Sequence, residues 1–140
     1  TRFLMSLDES VALVQYAFEN AQPGDLFIRK APASTIEDLA KAVAMVMGVE
    51  PQIQVIGTRH GEKTYESLLS REEMAEAEDR GEYYRVPLDA RSLDYGLYVE
   101  EGGHEVEQES DYTSHNTQRL TVEEVAALLE NLPEMREALA

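Results

Sequence analysis

The chain has 140 residues, of which 43% are hydrophobic and 29% charged, enough for one ordinary domain with a real core. Twelve Lys and Arg stand against 28 Asp and Glu, a net charge of -16, which excludes general binding to nucleic acid or to an anionic membrane surface. A mean hydropathy of -0.41 without a long apolar run excludes a membrane span, and the absence of cysteine excludes a disulfide scaffold, a thiolate metal site and a cysteine nucleophile, fitting a reducing compartment such as the cytoplasm.

The chain opens on Thr1-Arg2-Phe3, with neither an initiator methionine nor a signal-peptide head, and is expected to be a piece of something longer. From Ser6 to Asn20 the apolar residues Leu7, Val11, Val14 and Phe18 recur at helical spacing, with Ser6 as N-cap and Asp8 and Glu9 in the first turn; Pro23-Gly24 ends the segment. Leu26-Phe27-Ile28 reads as a short strand before Pro32. Ser34 with Glu37 forms a capping box for a second helix, carried by Ile36, Leu39, Val43 and Val46 and closed by Gly48. Gln52 to Ile56 alternates, with Ile53 and Val55 on one face, and is predicted to be a second strand.

The first half is therefore a mixed α/β pattern of helix, strand, helix and strand. Beyond the loop 57–63, Ser70 with Glu73 caps a short acidic helix predicted over Arg71 to Asp79 and ending at Gly81. Tyr83 to Val86 reads as a strand. Asp89 to Tyr112 lacks periodicity, and Glu100 to Asp111 holds six acidic residues and no Lys or Arg, which predicts a solvated excursion. Thr121 with Glu124 caps a last helix from Val122 to Leu132, with Val125, Leu128 and Leu129 inward, stopped by Pro133; the remaining residues are expected to add one further turn. Residues 1–99 are thus expected to form one α/β region and 100–140 an acidic excursion with a helical tail.

The strongest chemical signal is Gly57-Thr58-Arg59-His60-Gly61-Glu62-Lys63. The planar fork of an Arg suits phosphate or carboxylate, through charge-assisted hydrogen bonds of about 1.5–3 kcal/mol each. A carboxylate three residues on can accept from sugar hydroxyls, and the flanking glycines let backbone approach a ligand. The same residues also suit an ordinary charged turn whose surface ion pairs contribute about 0–1 kcal/mol. Arg2, just ahead of a capped helix, is either a second anion contact or a solvated Arg. The polar run Asp111 to Leu120 is either a contact surface or the turn that sets up the Thr121 cap. His60, His104 and His115 lack the i, i+4 spacing of a zinc pair, so no metal site is expected. No Gly-x-Ser-x-Gly elbow, Walker loop or Gly-x-Gly-x-x-Gly turn is present, and none of the seven tyrosines has a Lys four residues on.

Thr1 to Glu9, Lys30 to Ile36, Gly57 to Lys63, Leu68 to Glu73 and Tyr112 to Thr117 together resemble the C-terminal part of bacterial capsular polysaccharide biosynthesis enzymes in the extended short-chain dehydrogenase/reductase superfamily. The similarity is greatest to the UDP-N-acetylglucosamine 4,6-dehydratase (5-inverting) branch, whose members are often labelled UDP-glucose 4-epimerase. It implies a small mixed α/β substrate-binding domain that packs against a Rossmann domain absent from this chain. It further implies that Arg2 contacts the diphosphate or uridine region of UDP, Arg59 the diphosphate and Glu62 the uridine ribose, and it makes His115 and Asn116 candidates for a homo-oligomer contact. His60 stands where the superfamily more often has Pro.

In such enzymes a nicotinamide cofactor, NADP or NAD, takes hydride from the sugar C4. The resulting ketone acidifies C5–H, the C6 hydroxyl is eliminated, and the hydride returns at C6. The Tyr and Lys of that chemistry, and most of the cofactor site, belong to the Rossmann domain, so the resemblance implies no catalytic residue in this chain and no activity by it alone. A 4-epimerase shares the nucleotide contacts and is the alternative within enzymes. An acidic oligomerisation module without a ligand is the alternative outside them.

Overall fold

In the computed structural model, which describes residues 1–88 and 110–139, the elements run β1 (Arg2–Phe3), α1 (Leu7–Asn20), β2 (Leu26–Arg29), β3 (Ala33–Ser34), α2 (Ile36–Val46), β4 (Ser67–Leu69), α3 (Arg71–Glu76), β5 (Glu78–Asp79), β6 (Tyr83–Val86), β7 (Tyr112–Thr113), α4 (Val122–Glu130) and α5 (Pro133–Ala138). The strands form three small sheets, ordered β1-β3, β2-β6-β5 and β4-β7, and the fold is mixed α/β. Most of the acidic excursion and the expected boundary after residue 99 lie outside the described residues. The chain divides into two compact units, one of Thr1–Leu7, Ala31–Glu66 and Thr113–Ala140, the other of Asp8–Lys30 and Ser67–Tyr112.

In the first unit α2 packs on α4 through small side chains. Ala42, Leu120, Val125 and Ala126 form the buried cluster, with Leu4, Leu39, Val46, Val122 and Leu129 against it; alanines at the contact let the helix axes approach. Val125 and Leu129 point inward as expected, whereas Leu128 is exposed. β1 pairs antiparallel with β3, Arg2 opposite Ser34 and Phe3 opposite Ala33. On its other side Ala33 donates to the Gln118 carbonyl and accepts from the Leu120 N–H, both at 2.9 Å.

This use of β3 moves the predicted helix cap by one residue. Ser34 is buried in the strand, and Thr35 caps α2 instead, its hydroxyl accepting from the Asp38 N–H at 2.9 Å and donating to the Asp38 carboxylate at 2.6 Å. The Thr121–Glu124 capping box forms as expected. Pro133, expected only as a stop, is also the first residue of α5, where its missing N–H costs nothing. The predicted strand Gln52 to Ile56 is not formed: residues 50–59 have no regular secondary structure and are exposed throughout.

In the second unit β6 is central, with Ile28 opposite Tyr84 and Phe27 opposite Arg85 on one side, and Glu78 opposite Arg85 on the other. Helix α1 docks through Tyr16, whose ring stacks on Tyr83 at 4.2 Å and meets Phe27 edge-on at 5.5 Å. The apolar stripe that marks this helix in the sequence faces solvent: Leu7 and Phe18 are 74% and 87% exposed. The α1–β2 connection needs Gly24, which has φ +91 and would bring a Cβ within 2.8 Å of Leu88. The Ser70–Glu73 capping box forms, but α3 is shorter than predicted, because Ala77 turns extended and Glu78–Asp79 joins the sheet as β5.

The Asp25 side chain is 2% exposed and held by the Arg85 guanidinium at 2.8 and 3.1 Å. This pairing, followed by the Gln22 N–H, lowers the Asp25 pKa below its ordinary 3.8. A carboxylate with a depressed folded pKa contributes stability above its unfolded value and loses it as pH falls through the folded value. Asp25→Asn is therefore expected to flatten the acid limb of the stability profile below about pH 5, as read by thermal melts; identical limbs for variant and wild type would contradict this role.

Candidate functional site

Three separated stretches of the first unit, residues 1–3, 59–66 and 113–116, meet around Arg2. The Arg2 guanidinium donates to the Thr1 carbonyl at 2.7 Å and to the Lys63 carbonyl at 3.2 Å. It lies 3.8 Å from carboxylate oxygens of both Glu62 and Glu66, with its side chain 30% exposed. Two carbonyls use two of its five N–H groups and leave donors over.

The loop is shaped by a tight turn. The Glu62 N–H donates to the Arg59 carbonyl at 3.0 Å, and the third residue of this turn, Gly61, has φ +79, where glycine is needed. Glu62 Oε2 closes the turn by accepting the Arg59 N–H at 3.0 Å. Its other oxygen faces Arg2 at a distance longer than a hydrogen bond and keeps its capacity to accept. Arg2 and Glu62 are thus brought together, and Arg59 joins them through its backbone. The side chains of Arg59, His60 and Lys63 are exposed, and none has an ionic partner among the described residues.

Sequence reasoning did not single out the two residues that assemble this cluster. Glu66 accepts the Phe3 N–H at 2.9 Å while facing Arg2. Ser114 is fully buried, and its hydroxyl accepts the Glu66 N–H at 2.9 Å and lies 2.8 Å from the Thr1 hydroxyl. No local pattern marks one Glu among so many acidic residues. The hydrogen-bonding density around Ser114 was visible; its burial was not.

His115 and Asn116 lie beside this knot. His115 Nδ1 is 2.9 Å from the Thr1 hydroxyl, and its ring is 5.0 Å from that of Tyr65. Asn116 Oδ1 accepts from the N–H and hydroxyl of Thr113 at 2.8 and 3.2 Å, a local Asx-type closure. Both side chains are exposed. No group of three potential metal-ligating residues occurs among the described residues, and no helix among them is long and apolar enough to cross a membrane. What the cluster offers chemically is an ordered turn flanked by the Arg59 and Lys63 cations, without ionic partners among the described residues, and an available carboxylate oxygen, a suitable combination for an anion that also carries hydroxyls.

Comparison with known proteins places this geometry in context. Residues 1–88 match the family described as polysaccharide biosynthesis protein, and residues 89–136 match polysaccharide biosynthesis protein C-terminal. Among curated relatives, a protein of Rickettsia felis named UDP-glucose 4-epimerase is 57% identical over 139 residues, and one of Rickettsia bellii with the same name is 58% identical over the same length. The match covers 99% of this chain, which spans 41% of the length of either relative. A solved structure, described as the X-ray structure of Pen from Bacillus thuringiensis, superposes with a TM-score of 0.70 at 25% identity, covering 92% of this chain and 36% of that one.

Proposed function

This chain belongs to the polysaccharide biosynthesis protein family, and from that premise we propose that it is the substrate-holding part of a cytoplasmic nucleotide-sugar enzyme, gripping the UDP end of the substrate through Arg2, Arg59 and Glu62. In this reading residues 1–99 carry the nucleotide contacts and 100–140 the acidic excursion and helical tail. The observation that carries it is the segment 59–63: in a chain of net charge -16 it exposes Arg59, His60 and Lys63 without ionic partners among the described residues. A diphosphate beside them would gain charge-assisted hydrogen bonds, while Glu62 Oε1 is open to a ribose hydroxyl. A nucleotide-sugar is the ligand class that combines these two demands.

For the full-length family protein carrying this chain we propose 4,6-dehydration of UDP-N-acetylglucosamine with inversion at C5, for capsule or surface polysaccharide. A nicotinamide cofactor, NADP or NAD, supplies hydride acceptance and return when bound. The residues of this chain do not fit that group, because no dinucleotide-binding glycine turn occurs in it, and no step through it is assigned to them. The second reading, 4-epimerisation, is favoured by the names of the Rickettsia relatives.

Deuterium oxide separates the two. Dehydration with C5 inversion removes the C5 proton and the C6 hydroxyl, so the product carries solvent deuterium at C5. Epimerisation changes configuration at C4 with no deuterium incorporated. The full-length protein is expected to convert UDP-N-acetylglucosamine to the C5-deuterated 4-keto-6-deoxy product by NMR; a C4 epimer free of deuterium would establish the second reading instead. The homo-oligomer is proposed to use the exposed groups of His115 and Asn116, and unchanged assembly size in light scattering after replacing both with Ala would remove that role.

A further inference from the structure

The segment Gln52 to Ile56 has the sequence of a strand and none of its partners. Ile53 and Val55 alternate with Gln52 and Gln54, the pattern of a strand with one buried and one solvated face. Yet Ile53 and Val55, the apolar face of that pattern, are 43% and 86% exposed, and among the described residues no backbone–backbone hydrogen bond links residues 52–58 to anything. An exposed apolar strand with unpaired backbone groups is an aggregation hazard that folded proteins cover or pair. The chain spans only 41% of its curated relatives' length, so more than half of such a protein lies outside it and can supply a partner strand.

We infer that Gln52 to Ile56 is a sheet strand whose partner is a strand from the part of the full-length protein outside these 140 residues. Pairing satisfies the free N–H and C=O groups and turns the Ile53–Val55 face onto a core. It also has a consequence for the neighbouring loop. The strand runs directly into Gly57 and the Arg59–Glu62 turn, so fixing it fixes the approach of Arg59 to its ligand. The inference rests on strand pattern, exposure and length, and holds whatever anion that loop binds.

Hydrogen exchange by mass spectrometry, without nucleotide, tests it in two forms of the protein. In the 140-residue chain, amides 52–58 are expected to exchange at unprotected rates; in the full-length protein they are expected to be slowed by about two orders of magnitude. Fast exchange in both forms would overturn the inference. Protection in the 140-residue chain that disappears on dilution would also overturn it, by making a second copy the partner. A substitution gives an independent reading: Val55→Pro removes a ladder donor, so it should leave the melting temperature of the 140-residue chain unchanged and lower that of the full-length protein, and equal effects in both would contradict the pairing. UDP affinity is a separate readout, so failure of the nucleotide reading would leave these outcomes intact.

Discussion

Arg59→Ala in the full-length protein is expected to weaken UDP binding by about 10- to 100-fold, the equivalent of losing one or two charge-assisted hydrogen bonds, while leaving uridine binding unchanged. The structure explains why the effect should be confined to the anion. The Arg59 side chain is exposed and has no ionic partner among the described residues, whereas its backbone N–H and carbonyl hold the turn, and alanine keeps both backbone groups. Melting temperature should therefore stay where it is. Arg59→Lys should recover only part of the affinity, because an ammonium cannot reproduce the planar fork. Calorimetric titration of UDP and uridine against the three proteins reads all of this; an equal loss for both ligands, or a lowered melting temperature, would make Arg59 a structural residue.

The largest effect on stability is expected at Leu120. It is buried where α2 meets α4, in one cluster with Ala42, Val125 and Ala126, and its N–H is bonded to Ala33. The two alanines are already small and can give little to fill a void. Leu120→Ala should cost about 2–5 kcal/mol, a large share of the roughly 5–15 kcal/mol typical of a folded domain. Leu128→Ala, one helical turn from the buried Val125 but 45% exposed, should cost far less. Urea melts of the two variants decide the matter, and similar midpoints would mean that the α2–α4 contact is not the core of this unit.

How far the sequence could be read depended on whether a signal was local. The boxes at Ser70 and Thr121 formed because a capping side chain and its N3 partner are fixed by three residues of chain. The box at Ser34 failed because a tertiary demand, the β3 pairing, took that residue first. Periodicity located α1 but not the face it buries: Tyr16 docks, while Leu7, Val11, Val14 and Phe18 stay exposed. Alternation marked Gln52 to Ile56 as a strand, but a strand exists only with a partner, and a single segment cannot carry that information. At the site, Arg59 and Glu62 were legible as a motif, and Arg2 as an isolated cation. Their meeting was not, since it depends on Glu66 and Ser114, whose roles arise from contacts across 48 and more residues.

In the proposed function the Arg59–Glu62 turn holds the UDP end of a nucleotide-sugar. A crystal structure of the full-length protein with UDP bound tests it most directly. A diphosphate oxygen is expected within hydrogen-bond distance, about 2.7–3.2 Å, of the Arg59 guanidinium, with a ribose hydroxyl donating to Glu62. UDP bound with its diphosphate on other cations, and Arg59 and Glu62 left facing solvent, would contradict it.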